Sequence, residues 1–169
     1  MGACYGNRGP AAAAPSEDMA QKLRSLTVAR DTGGRAMVDR NLPISERMSP
    51  LTHTIGRDQT MTEARRRMHE FDIRHLAVLH AGRMLGIVSE RDIAMVETLP
   101  SVDPDVVAVH EAMTPEPYTV PATAKLVDVV EEMANHKYGA ALVLDGAALV
   151  GIFTTTDALR LAHDLLAES

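Results

Sequence analysis

Tryptophan is absent from this 169-residue chain, and aromatic residues make up only 3% of it. Any core must therefore be aliphatic, and a hydrophobic content of 46%, with ten methionines, suffices to build one. The single cysteine, Cys4, excludes a disulfide within the chain and fits a reducing compartment. No run approaches the roughly 18 apolar residues of a membrane span. The N-terminal region lacks a basic start followed by an apolar stretch, so no secretory signal is expected. "MGACYG" resembles a myristoylation start, but Gly6 stands where that signal needs Ser or Thr. A net charge of −6 lacks the basic excess on which duplex affinity rests, so no nucleic-acid partner is expected. There is no Walker or Rossmann glycine loop and no nucleophile–base pair at a recognisable spacing. The seven histidines fall into no metal-ligand pattern, so no metal is expected. These absences predict a cytoplasmic protein without enzyme chemistry.

What the chain does contain is a repeat. Residues 44–95 align with 109–160 at a constant offset of 65 without a gap, and ten positions are identical. Among them are Met48/Met113, Pro50/Pro115, Thr54/Thr119, Gly86/Gly151 and Asp92/Asp157. An internal repeat fixes the architecture before any single element does. The predicted organisation is a tail over 1–43, repeat one over 44–99, a turn-rich linker over 100–108, and repeat two over 109–166. Residues 1–16 are rich in Gly, Ala and Pro and read as a flexible tail. Residues 17–30 read as a short helix with Met19, Leu23 and Leu26 on one face.

Each repeat opens with a short strand, "THTI" or "PYTV". A helix follows, on which Met61, Ala64, Met68 and Phe71 recur at helical spacing. Thr60 and Glu63 form a T-x-x-E capping box at its start, whereas Lys125 replaces the threonine in repeat two. Two apolar strands come next, joined across Ala81-Gly82 in repeat one and Asp145-Gly146 in repeat two. A last helix starts near Asp92 or Asp157. One copy of about 50 residues is marginal for burying its own sheet, so the two copies are expected to share a core.

The pairs "MSP…TI" and "MTP…TV", the run "DIRHLAVL…GRMLGIVSERD" and the run "ALVLDGAALVGIFTTTDAL" resemble the tandem cystathionine-β-synthase (CBS) domain pair, or Bateman module. The resemblance covers residues 44–166. It implies an α/β fold of two β-α-β-β-α repeats packed as a pseudo-two-fold CBS pair. It also implies a regulatory role, a flat homodimer, and inter-repeat clefts for adenosine-containing ligands: AMP, ADP, ATP or S-adenosylmethionine. Carried over by position, it sets Thr54 with Ile55, and Thr119 with Val120, against the nucleotide. Ala77 and Leu142 stand where the family has a proline beside the adenine, and neither copy keeps that proline. His75 and Arg91, with Arg74, match basic positions near the phosphates. Repeat two has Ala140, Thr156 and Gly139 in their places, so the two sites are expected to be unequal.

The chemistry of the repeated strand end suits such a ligand. At Ser89 and Thr154 a strand gives way to a helix, whose first N–H groups lack partners and attract anions. The two hydroxyls add hydrogen bonds. The carboxylates of Asp92 and Asp157 only accept, which suits the two hydroxyls of a ribose. Gly86 and Gly151 let backbone or ligand approach closely. The competing account is that Ser-x-x-Asp and Thr-x-x-Asp merely cap their helices. The arginine run Arg65–Arg67 reads as a solvated face.

Two functions follow. One is a ligand-sensing module that regulates an unidentified protein partner. The other is an unliganded dimerisation or scaffold module. A fragment of an enzyme is the third reading, and the first 43 residues supply no constellation for it.

Overall fold

The computed structural model describes residues 41–51 and 53–167. The expected tail, except for residues 41–43, and its short helix lie outside the described residues. Repeat one supplies β1 (Ser49–Pro50), β2 (Thr54–Gly56), α1 (Met61–Glu70), β3 (His75–His80), β4 (Arg83–Ser89) and α2 (Glu90–Thr98). Repeat two supplies α3 (Val109–Ala112), β5 (Thr114–Pro115), β6 (Thr119–Pro121), α4 (Leu126–His136), β7 (Ala140–Asp145), β8 (Ala148–Thr154) and α5 (Thr155–Ala167). A 3-10 turn, Ile44–Glu46, precedes β1. The expected β-α-β-β-α order holds in both repeats.

Two four-stranded sheets form, ordered β2-β3-β4-β5 and β1-β8-β7-β6. In each, the first and second strands named from a single repeat are parallel (β2 with β3, β6 with β7), and the hairpin that follows is antiparallel. The fourth strand of each sheet comes from the other repeat. Pro50 pairs with Gly151, and Pro115 pairs with Gly86. The turns ahead of these strands are exchanged as well. Ile44, fully buried, packs among Val120, Leu126, Val129, Met133 and Phe153 of repeat two. Val109, also fully buried, packs among Ile55, Met61, Leu76 and Val88 of repeat one. Matching backbone bonds fasten them: Ile44 N–H donates to Ala124 O at 2.8 Å, and Val109 N–H to Gln59 O at 2.8 Å.

The helices bury what their periodicity predicts. Met61, Ala64 and Met68 lie in the core from α1, and Leu126, Val129 and Met133 from α4. Phe71 instead terminates α1, is 39% exposed, and stacks on His53 with ring centroids 3.7 Å apart. The second hairpin turn is Gly146-Ala147, not Asp145-Gly146, because Asp145 stays in the ladder opposite Ala148. Gly146 takes the positive φ of 59° that this turn needs.

The capping box of α1 is half realised. Thr60 Oγ1 accepts from Glu63 N–H at 3.2 Å. The Glu63 carboxylate does not reach back; it accepts from Arg66 and Arg67 at 2.7–2.9 Å instead. Those hydrogen bonds hold its pKa down to about 2. A depressed carboxylate pKa stabilises the fold fully above the unfolded value of about 4.5, and that contribution is lost as pH falls toward 2. The side chain is 26% exposed, so about 1 kcal/mol is expected rather than the full linkage value. Urea unfolding at pH 7 and pH 3 should show wild type losing roughly half of that more than E63Q, the rest following only as pH falls on toward 2. Equal losses in the two proteins would rule this account out.

The faces of the sheets divide by residue parity. Leu76, Val78 and Val88 of one sheet, and Ala141, Val143 and Phe153 of the other, join the helix-side cores. Ala77 and Leu142 belong to neither core and yet are 1% and 0% exposed. Between the repeats, a Cβ placed on Gly139 would sit 3.4 Å from His75 Nε2.

Candidate functional site

The two strand-to-helix joints are nearly superposable in their bonding. Ser89 has extended backbone, so its hydroxyl turns toward the first turn of α2. Asp92 N–H donates to Ser89 Oγ at 3.3 Å, while Asp92 Oδ2 accepts from Ser89 N and Oγ, each at 2.7 Å. At the second joint, Asp157 N–H donates to Thr154 Oγ1 at 3.3 Å. Asp157 Oδ2 accepts from Thr154 N at 2.8 Å and from its hydroxyl at 2.7 Å. One oxygen of each carboxylate therefore does all the capping, and Oδ1 is left outside the box. Both of the earlier accounts are thus compatible: capping consumes half of the acceptor group.

The helix tips are similarly divided. Glu90 N–H donates to Arg74 O at 3.0 Å and Thr155 N–H to Gly139 O at 3.1 Å. The third N–H of each helix meets the capping hydroxyl. Among the described residues this leaves the N–H groups of Arg91 and Thr156 without an acceptor, one outward donor per joint. Both residues are exposed.

His75 lies directly across the ladder from Ser89, as Ala140 lies across from Thr154. Burial pushes the His75 imidazole below its ordinary pKa; the Asp92 carboxylate opposes this, Arg74 adds to it, and Glu90 opposes it. The ring therefore carries a donor and an acceptor at neutral pH. Arg74 is exposed and lies 3.8 Å from Glu90.

The remaining predicted residues are spread over three environments. Thr54 and Thr119 lie on edge strands, in register with Ala77 and Leu142. Thr54 is half-buried and Thr119 exposed. Ile55 and Val120 point into the helix-side cores, so only their backbone groups can face a ligand. Ala77 and Leu142 are fully buried. An open hollow of about 280 Å³ is lined by Thr119, Val120, Pro121, Leu144 and Gly146, and by neither aspartate.

Three further residues attach to these positions. Ser49, on the exchanged strand β1, makes a long 3.5 Å contact from its hydroxyl to Asp157 Oδ1. The Arg160 guanidinium lies 3.6 Å from the same oxygen. Arg67 Nη1 donates to the Thr54 carbonyl at 2.7 Å. Arg160 was detectable as the cation three residues beyond Asp157; Ser49 and the Arg67 contact carry no sequence signal, because both cross between elements. Among the described residues, no group of three or more His, Cys, Asp or Glu side chains is placed to hold a metal, and no helix is long and apolar enough to cross a membrane.

The chain is 29% identical over 107 residues to Hypoxic response protein 1 of Mycobacterium tuberculosis, covering 63% of this chain and 75% of that one. It is similar in structure to a Vibrio cholerae protein assigned to acetoin utilization (AcuB), at 31% identity and a TM-score of 0.66, over 75% of this chain and 93% of that one. The structure of CBSX2, solved in complex with AMP, shares the fold at 21% identity and a TM-score of 0.63, over 73% of this chain and 97% of that one. The CBS domain profile matches twice, at residues 42–98 and 106–164. The chain belongs to the CBS domain family, with two such domains in tandem.

Proposed function

We propose that this chain is a non-catalytic regulatory module that binds an adenosine ligand between its repeats. The ligand is AMP, ADP or ATP, with S-adenosylmethionine as the other adenosyl candidate. The carrying observation is the pair of aspartates that spend one carboxylate oxygen on their helix and keep the other outside the box. At Asp92 a carboxylate oxygen that meets no donor among the described residues, beside an unpaired helix N–H, matches a sugar hydroxyl beside a phosphate. The AMP held by CBSX2 lends the ligand class to this reading. The reading includes a cytoplasmic homodimer. Leu159 and Leu166 of α5 are 71% and 78% exposed, and Met95 of α2 is 63% exposed, leaving apolar surface for a second copy. A ligand regulates such an assembly only through different affinities for its two arrangements.

The scaffold reading has its own support: the capping boxes close without any ligand, and the open hollow includes neither aspartate. Thermal unfolding with AMP, ADP, ATP and S-adenosylmethionine separates the two. A ligand present at a hundred times its Kd is expected to add about 2.7 kcal/mol and raise Tm by several degrees. Unchanged melting with all four leaves the scaffold reading standing alone.

A further inference from the structure

The exchanged strands decide which threonine accompanies which aspartate. β1 lies beside β8, and Ser49 on it meets Asp157; the same segment runs on to Thr54. β5 lies beside β4, which leads into Asp92, and its segment runs on to Thr119. Thr54 therefore belongs with Asp157, and Thr119 with Asp92.

These two clefts differ in three independent respects. The first is the carboxylate. Asp157 Oδ1 faces Ser49 and Arg160, whereas Asp92 Oδ1 meets no donor among the described residues. The second is the strand edge. In the β6–β7 ladder, Leu142 N–H donates to Tyr118 O at 2.9 Å and Ala122 N–H to Leu144 O at 2.8 Å. A parallel ladder uses alternate residues of its edge strand, so the Thr119 carbonyl faces outward, as does Thr54 in the other repeat. Arg67 occupies the Thr54 carbonyl, and Glu63 holds that guanidinium at 2.7 Å. The corresponding residues in repeat two are Glu132 and Asp128, which cannot donate. The Thr119 carbonyl has no donor among the described residues. The third is charge: repeat one carries Arg74 and Arg91 where repeat two has Gly139 and Thr156.

Resting on the ligand reading above, we infer that the chain takes a single adenosine phosphate, in the cleft of Asp92 and Thr119, with the phosphate toward Arg91. In the other cleft the chain's own side chains take the acceptors: Arg67 the Thr54 carbonyl, and Ser49 and Arg160 the second oxygen of Asp157.

Equilibrium dialysis of the full chain against AMP tests this. Wild type is expected to bind one AMP per chain, and D92N is expected to weaken that one site roughly a hundredfold. R67M/R160A, which removes the internal occupants, is expected to bind a second AMP. Two equal sites in wild type overturn the inference, as does wild-type binding in D92N. A single site in folded R67M/R160A, checked by circular dichroism, overturns the claim that side chains close the second cleft. If neither wild type nor R67M/R160A binds AMP, the nucleotide reading fails, and this inference with it. Any result of one or two bound AMP keeps that reading and bears on the asymmetry alone.

Discussion

Gly86→Ala is expected to destabilise the protein by about 3 kcal/mol. A Cβ at this position would lie 2.5 Å from Thr114 O and 2.9 Å from Met113 Sδ. The carbonyl belongs to β5, which pairs with β4 over two residues only, so it cannot retreat without releasing the strand. Gly151→Ala meets a softer obstacle. Its Cβ would overlap the Met48 thioether and come within 3.0 Å of Ser49 O. A flexible side chain yields more readily than backbone, so about 2 kcal/mol is expected. M48A should therefore recover much of the G151A loss, while M113A should recover little of the G86A loss. Urea denaturation of the four variants and the two pairs measures this. Wild-type midpoints for G86A would show that the exchanged strand does not approach as described.

Asp92→Asn is expected to weaken AMP binding roughly a hundredfold, with stability kept within about 1 kcal/mol of wild type. The asparagine oxygen can replace Oδ2 and go on accepting from Ser89 N and Oγ. Its amide then takes the place of Oδ1 and turns a donor toward the sugar, where two acceptor contacts to a charged group were available. Asp92→Ala removes both roles and should also lose about 1 kcal/mol with the cap. Asparagine thus separates the ligand role from the structural one, which alanine cannot. Titration calorimetry and thermal melting of D92N and D92A give the comparison. Wild-type affinity in D92N would mean that this carboxylate holds no sugar, and that its purpose is to cap.

Much of the fold is written in short-range pattern. The apolar runs over 75–79 and 84–89, the helical spacing of Met61, Ala64 and Met68, and the gapless offset of 65 all survive in the structure. The exchange of edge strands left no such trace. Two residues carry no alternation, and a repeat shows that Pro50 and Pro115 are equivalent without showing what each one pairs with. The identity of Met48 with Met113 was visible; that each methionine lies over the other repeat's glycine was not. Glu63 offered two partners in the sequence, the Thr60 N–H and the arginines. Two charge-assisted pairs outweigh one bond to a neutral donor. Within the candidate site, the joints at Ser89 and Thr154 were legible because their partners lie three residues away. Ser49 and Arg67 were not, since their partners lie on other elements. Ile55 and Val120 matched by position, but their side chains turn into the cores.

The interlocked edges also set an order of events. A ribosome delivers the chain from its N-terminus, so the first core stays unfinished until Val109 and Thr114–Pro115 have emerged. Ile44 and β1 meanwhile wait for a sheet that is made last. Each half is completed by a segment of the other, so neither can mature first, and the molecule closes as one event.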